Sequence, residues 1–138
     1  MKKMLNILMF IWLWVFGVTQ TLVGFVGFLI HIRKKHYWYK GTVVTYVPGN
    51  WGGVSLGAFI FIDSDIDKAA ACDGNAFVNH ERGHSIQSCI LGPIWWFVVG
   101  IPSVLWAGIF SKKSKHTYYW FYCERWADRL GGVERQVY

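Results

Sequence analysis

Residues 80–84 read His-Glu-Arg-Gly-His. On a helix, positions four apart stand one turn above each other on one face. His80 and His84 therefore present two imidazoles to one point, and such a pair can share one Zn²⁺ at Zn–N distances of ~2.0–2.1 Å. Glu81 is off that ligand spacing, where a carboxylate can take a proton from a water at the ion without binding the ion itself. The flanks predict a helix over residues 76–91, with a capping residue in Asp73-Gly74-Asn75 and a stop at Gly92-Pro93. The constraint on the fold is severe. Two imidazoles leave a zinc ion short of a third protein ligand, so another part of the chain has to fold back onto this helix.

Residues 124–128, Glu-Arg-Trp-Ala-Asp, are suited to that task. They lie in a second helical stretch expected over residues 117–130 and closed by Gly131-Gly132. Glu124 and Asp128 share a face. One carboxylate suits the third ligand position, and the other can accept the free ring N–H of a metal-bound histidine and fix its tautomer. Asp63, Asp65, Asp67 and Asp73, in the segment leading to the first helix, compete for the same position.

Together the two blocks, H-E-x-G-H and E-x-x-A-D-R-x-G, resemble the gluzincin metallopeptidases, and among them the membrane family of CaaX prenyl proteases and heat-shock membrane proteases. The matching residues are His80, Glu81, Gly83 and His84, then Glu124, Ala127, Asp128, Arg129 and Gly131. The resemblance implies zinc on His80, His84 and Glu124, Glu81 as general base, and Asp128 holding a histidine ligand. Peptide hydrolysis also needs a donor for the developing oxyanion; Tyr118, Tyr119, Tyr122, His116 and Arg125 are the candidates, unranked by sequence.

The rest of the chain reads as a membrane protein. Of its 138 residues, 54% are hydrophobic and 9 are Trp, and the net charge is +6. Residues 4–30 carry no charge. As one helix they would extend about 40 Å, enough to span a hydrocarbon core of ~30 Å with tilt. Met1-Lys2-Lys3 before the run suggests a signal peptide, but the run is too long and lacks a small-residue cleavage site, so a retained anchor is expected. Thr19-Gln20-Thr21 near its middle can pack against a partner helix or be merely tolerated there, and the second is the expectation. Arg33, Lys34, Lys35 and Lys40 outnumber the charges at the other end and place the following domain in the cytoplasm. Tyr37, Trp38 and Tyr39 read as an interfacial aromatic belt, with lipid headgroups rather than nucleic acid as the partner of this basic stretch.

Thr42–Val47 and residues 54–62 have strand composition and flank Pro48-Gly49-Asn50, which predicts a hairpin. A second apolar block covers residues 89–110. A full crossing there would put His80 and Glu124 on opposite sides of a bilayer, so a hairpin broken at Gly100-Ile101-Pro102-Ser103 is expected over residues 93–110, associated with the membrane and returning to the same side. Cys72, Cys89 and Cys123 suggest no disulfide framework.

The expected architecture is therefore α+β: a transmembrane anchor over residues 1–35, then a zincin-like domain over residues 36–138. The expected function is zinc-dependent hydrolysis of a peptide or membrane-protein substrate. The alternative is a non-enzymatic or inactive zinc-binding membrane protein that serves as a binding module or complex subunit.

Overall fold

The computed structural model describes residues 1–49, 51–64 and 74–136, with the side chains of Gly74 and Asn75 excepted. Asp65, Asp67, Cys72 and Asp73 lie outside the described residues. The fold is α+β, with five α-helices and one four-stranded sheet among the described residues.

The charge-free N-terminal run is not one helix. It forms α1 (Lys2–Val15) and α2 (Val18–Ile30), bent by 100° at Phe16-Gly17. No single described helix is long and apolar enough to cross a membrane, although this bent pair passes by length and composition together. The polar triplet after the bend accounts for the correction. Gln20 and Thr21 are fully buried. Gln20 Nε2 donates to the Gly92 carbonyl at 2.6 Å, and Thr21 Oγ1 donates to the Leu13 carbonyl at 3.0 Å. Thr19 Oγ1 donates to Gln20 Oε1 and accepts from Trp96 Nε1. Burying these groups without partners would cost roughly 1–3 kcal/mol each, so the triplet is a joint between segments distant in sequence rather than a tolerated polar patch.

The sheet has the order β1-β2-β4-β3, from β1 (His36–Tyr39), β2 (Thr42–Val47), β3 (Gly53–Leu56) and β4 (Phe59–Asp63). One expectation changes here: β2 pairs in parallel with β4 instead of forming a hairpin with the next strand. Tyr37, Trp38 and Tyr39 form an antiparallel edge strand on β2. The stretch expected as one strand over residues 54–62 is itself split into the β3–β4 hairpin. Gly57 takes φ +62 at the first position of its two-residue turn, a backbone conformation open to glycine. Thr21 packs on that turn and accepts the Ala58 N–H at 3.3 Å.

Alternation along β4 builds two cores. Phe59 and Phe61 face α1 and α2, with Leu13, Trp14, Phe25 and Phe28. Ile60 and Ile62 face the other way, with Val44, Phe77 and Val78. Phe77 and Val78 belong to α3 (Gly74–Leu91), so the sheet lies between the N-terminal helices and α3.

After α3, residues 92–113 form one helical run rather than a broken hairpin. It contains π turns at Trp96–Gly100 and Trp106–Phe110 around α4 (Ile101–Leu105). Pro102 does not stop it. Proline offers no N–H to the carbonyl one turn earlier, here Val98, and the Tyr122 hydroxyl donates to that carbonyl instead. The widened π turn just before the proline relieves the crowding its ring would cause. The return path is the non-α segment that follows. Trp106 Nε1 donates to the Tyr118 carbonyl at 2.8 Å, and Trp106 stacks on Phe121 with ring centroids 4.8 Å apart. The last helix is correspondingly shorter than expected: Tyr118–Trp120 is a 3₁₀ turn, Phe121 is extended, and α5 is Tyr122–Gly131. Its end follows the glycine signal. Gly132 is left-handed, Val133 N–H donates to the Asp128 carbonyl and Gly132 N–H to the Arg129 carbonyl, a Schellman closure.

Candidate metal centre

Among the described residues α3 and α5 pack extensively on each other, and they approach closely where side chains are missing. A Cβ on Gly83 would fall 1.9 Å from the Ala127 carbonyl oxygen, and one on Gly131 would fall 2.0 Å from that of Asn79. Backbone therefore rests on backbone at two points, one beside His80 and His84 and the other at the end of α5. Any larger residue at either glycine would wedge the helices apart.

That approach brings the three ligand candidates together. Glu124 Oε2 lies 3.1 Å from His80 Nε2 and 3.1 Å from His84 Nε2. The imidazoles stand at 88° with centroids 4.9 Å apart. All three residues are buried, and one ligand atom from each lies within 4.8 Å of the others. Tetrahedral ligands at Zn–N distances of ~2.0–2.1 Å are spaced roughly 3.3 Å apart, close to what is seen.

The surrounding hydrogen bonds favour a cation. His80 Nδ1 meets Asp128 Oδ1 at 2.7 Å, and His84 Nδ1 meets Gln87 Oε1 at 2.7 Å. An acceptor on each Nδ1 places a ring proton there and turns each Nε2 toward Glu124, where either a second proton or a metal ion can stand between ring and carboxylate. Ser103 donates to Glu124 Oε1 at 2.5 Å, which leaves Oε2 for the shared point. These residues fit a metal ion: His80, His84 and Glu124 can hold one, while Asp128, Gln87 and Ser103 orient them.

The charges follow the same geometry. Burial opposes a proton on His80, but the hydrogen bonds to Asp128 and Glu124 outweigh it and raise its pKa to about 9. Burial likewise works against charge on Glu124 and Asp128, yet both carboxyls are held below their ordinary range. Bonds from His80 and His84 do this for Glu124, and bonds from His80 and Arg135 do it for Asp128. Glu81 behaves oppositely. It is buried, and burial pushes its carboxyl upward despite the two neighbouring histidines.

Glu81 lies between two cavities. One, of about 130 Å³, is bounded by Gly53, Ser55, His84, Val99, Ser103 and Tyr118. The other, of about 340 Å³, is bounded by Trp51, Phe77, His80, Tyr118 and Tyr119. Both are flanked by β3, an edge strand of the sheet.

The oxyanion candidates now separate. Tyr118 borders both cavities and reaches Ser103 and Glu124 with its hydroxyl; burial, first, and the nearby Glu124 charge push its pKa far up, so it stays protonated. Tyr119 borders one cavity, meets the His80 ring edge-on at 5.1 Å and carries the Arg135 guanidinium 3.3 Å above its own ring. Tyr122 is turned to the Val98 carbonyl, and exposed His116 stacks on Trp120 at 4.1 Å. Arg125 borders neither cavity. Asp63, the described competitor for the third ligand position, accepts from Trp51 N–H at 3.0 Å and stands outside the cluster.

Sequence reasoning missed Gln87, Ser103 and Arg135. Gln87 is three residues past His84 and also donates to the Cys123 carbonyl at 2.8 Å, so a polar residue at that offset was the available signal. Arg135 bonds Asp128 through Nε at 2.7 Å and Nη2 at 3.1 Å. It gets there because the left-handed Gly132 turns the chain back, which Gly131-Gly132 hinted at. Ser103 had no local signal.

Comparison of the chain with family models, with curated proteins and with solved structures gave no match. The functional reading therefore rests on the site.

Proposed function

We propose that the chain is a membrane-associated zinc metallopeptidase of the gluzincin type. One observation carries this reading: two Nε2 atoms and one carboxylate oxygen converge while both Nδ1 atoms and the second carboxylate oxygen are held elsewhere. Two imidazoles and a carboxylate form a donor set suited to catalytic zinc. A bound zinc ion polarises a substrate carbonyl and lowers the pKa of water.

The protein residues supply the remaining chemistry. Glu81, its pKa raised by burial, takes the proton of the attacking water and returns it to the departing amine. Tyr118, kept protonated, donates to the carbonyl oxygen as charge develops on it. An extended peptide adds to the β3 edge and passes between the two cavities.

Membrane association is supported by the outer surface. Ile11, Val15 and Val26 of the bent pair and Phe97, Val104 and Ile109 of the helical run are about half exposed or more. The basic groups Arg33-Lys34-Lys35 and Lys112-Lys113 follow these segments and suit anionic headgroups. A cytoplasmic site follows from the same charge asymmetry.

The test uses detergent-purified full chain. It should bind one zinc and cleave an unstructured peptide, and a chelator should stop cleavage. Glu81→Gln should keep zinc and slow cleavage by ~10²-fold or more. Zinc without turnover in the unaltered chain would make it a binding module. Absence of stoichiometric zinc would remove the reading.

A further inference from the structure

We propose that the groove between α1 and α3 holds one anionic phospholipid, with its headgroup on Arg82 and its acyl chain along the groove. α3 uses different faces for different partners. His80 and His84 meet α5, whereas Arg82, Ile86 and Cys89, at i, i+4 and i+7, face α1. The groove has a volume of about 600 Å³, and its lining, which includes Leu5, Leu8, Met9, Trp12, Ile86 and Cys89, is apolar throughout. Leu8 and Trp12 are 52% and 49% exposed, so this apolar wall is uncovered. Trp12 Nε1 donates to the Cys89 carbonyl at 3.0 Å and ties one wall to the other.

Charge selects the occupant. The Arg82 guanidinium sits at the rim, where Nε donates to the Lys40 carbonyl at 3.0 Å and Nη2 lies 3.7 Å from Sδ of Met9, a groove residue. Both partners are neutral, and among the described residues no carboxylate pairs with Arg82. α1 carries no acidic residue, and Lys2 and Lys3 begin it. A half-buried guanidinium beside an open apolar trough matches a molecule with one anionic phosphate and a long hydrocarbon chain, since phosphate takes paired N–H bonds from arginine. A wholly apolar partner helix would fill the trough without supplying the anion. A choline headgroup would bring its own cation to a basic rim.

The inference rests on the bilayer reading of the apolar surface, and the test separates the two. Full chain in detergent is examined by native mass spectrometry with phosphatidylglycerol or phosphatidylcholine added. One phosphatidylglycerol should be retained, about tenfold more tightly than phosphatidylcholine. Arg82→Gln should erase that preference, and Arg82→Lys should restore part of it. Leu8→Trp, at an exposed position, should weaken phosphatidylglycerol retention with Arg82 intact, and it reads the same site if Arg82→Gln does not fold. Equal retention of both lipids, or an unchanged preference in both Arg82→Gln and Leu8→Trp, would overturn the site. Flotation with vesicles adds the second arm. A chain that floats with phosphatidylcholine vesicles but shows no lipid preference loses the site and keeps the bilayer reading. A chain that floats with neither phosphatidylcholine nor phosphatidylglycerol vesicles loses both.

Discussion

Two helix junctions among the described residues are made in opposite ways. α3 and α5 meet through missing side chains, Gly83 on Ala127 and Gly131 on Asn79. The α1–α2 bend is fastened by added polar ones, with Gln20 on Gly92 and Thr21 on Leu13 and Ala58. A backbone-to-backbone junction fixes the separation of two helices within tenths of an ångström, because close-packed atoms do not yield. That is what three ligand atoms around one point require. A junction of hydrogen-bonded side chains ties remote segments together and tolerates small shifts. The first kind suits chemistry, and the second suits architecture.

The sharpest way to break the comparison is Gly83→Val. Its Cβ would start 1.9 Å from the Ala127 carbonyl oxygen, and no rotamer relieves a clash made by Cβ itself. Overpacking of this kind costs ~1–3 kcal/mol and at times more, and here the upper end is expected. Because the strain is released by separating α3 from α5, zinc affinity should fall by more than ~100-fold, beyond the usual penalty for a residue that only orients a ligand. Chelator competition and thermal unfolding measure the two effects. A variant with ordinary zinc affinity would show that the glycine contact does not set the ligand spacing.

Next in size are the residues that orient the ligands. Asp128→Asn replaces the charged acceptor on the His80 Nδ1 by a neutral amide, and Gln87→Leu removes the acceptor on the His84 Nδ1, so each ring is freer to turn or change tautomer. Zinc affinity should fall ~10–100-fold in each, with binding retained. If only Asp128→Asn weakens binding, His84 is held by packing alone.

The contrast between the junctions also explains what could be read in advance. That His80, His84, Glu124 and Asp128 meet was legible because the two short blocks set these residue types at fixed helical offsets, and Gly83, Ala127 and Gly131 travel in the same blocks. The α+β class was legible from β-branched strands beside polar helices. The bend of residues 4–30 was not, since a charge-free run satisfies a span and a buried elbow equally, and the partners of Gln20 and Thr21 lie 72 and 37 residues away in sequence. The parallel pairing of β2 with β4 was hidden for a related reason. A hairpin signal is local, whereas the Gly57 turn diverts the following strand to a partner that local pattern does not name. Pro102 misled because the hydroxyl that compensates it belongs to Tyr122, on another element.

At the architectural junction, Gln20→Leu leaves the buried Gly92 carbonyl without its 2.6 Å donor. The loss should be ~1–3 kcal/mol of stability, read by denaturant unfolding in detergent. Zinc affinity should stay within about twofold, because no ligand-orienting contact passes through this joint. A large loss of zinc affinity would mean that the elbow and the metal helices move as one body, and the division drawn between the two junctions would fail.

The smallest effect expected is at Tyr122. Its hydroxyl serves the Val98 carbonyl that Pro102 cannot serve, and its ring is half exposed, so little packing is at stake. Tyr122→Phe should therefore cost about 1 kcal/mol, the net worth of an ordinary hydrogen bond, and should leave peptide cleavage unchanged. The double change sharpens the point. Pro102→Ala restores an N–H one turn after Val98, so the carbonyl regains a donor within its own helix. In that background Tyr122→Phe should cost less than it does beside Pro102, and the difference between the two costs is the coupling that a double-mutant cycle isolates. Equal costs in both backgrounds would show that the hydroxyl and the proline act independently. A loss of cleavage in Tyr122→Phe would return this tyrosine to the set of oxyanion donors, from which its bond to Val98 has removed it.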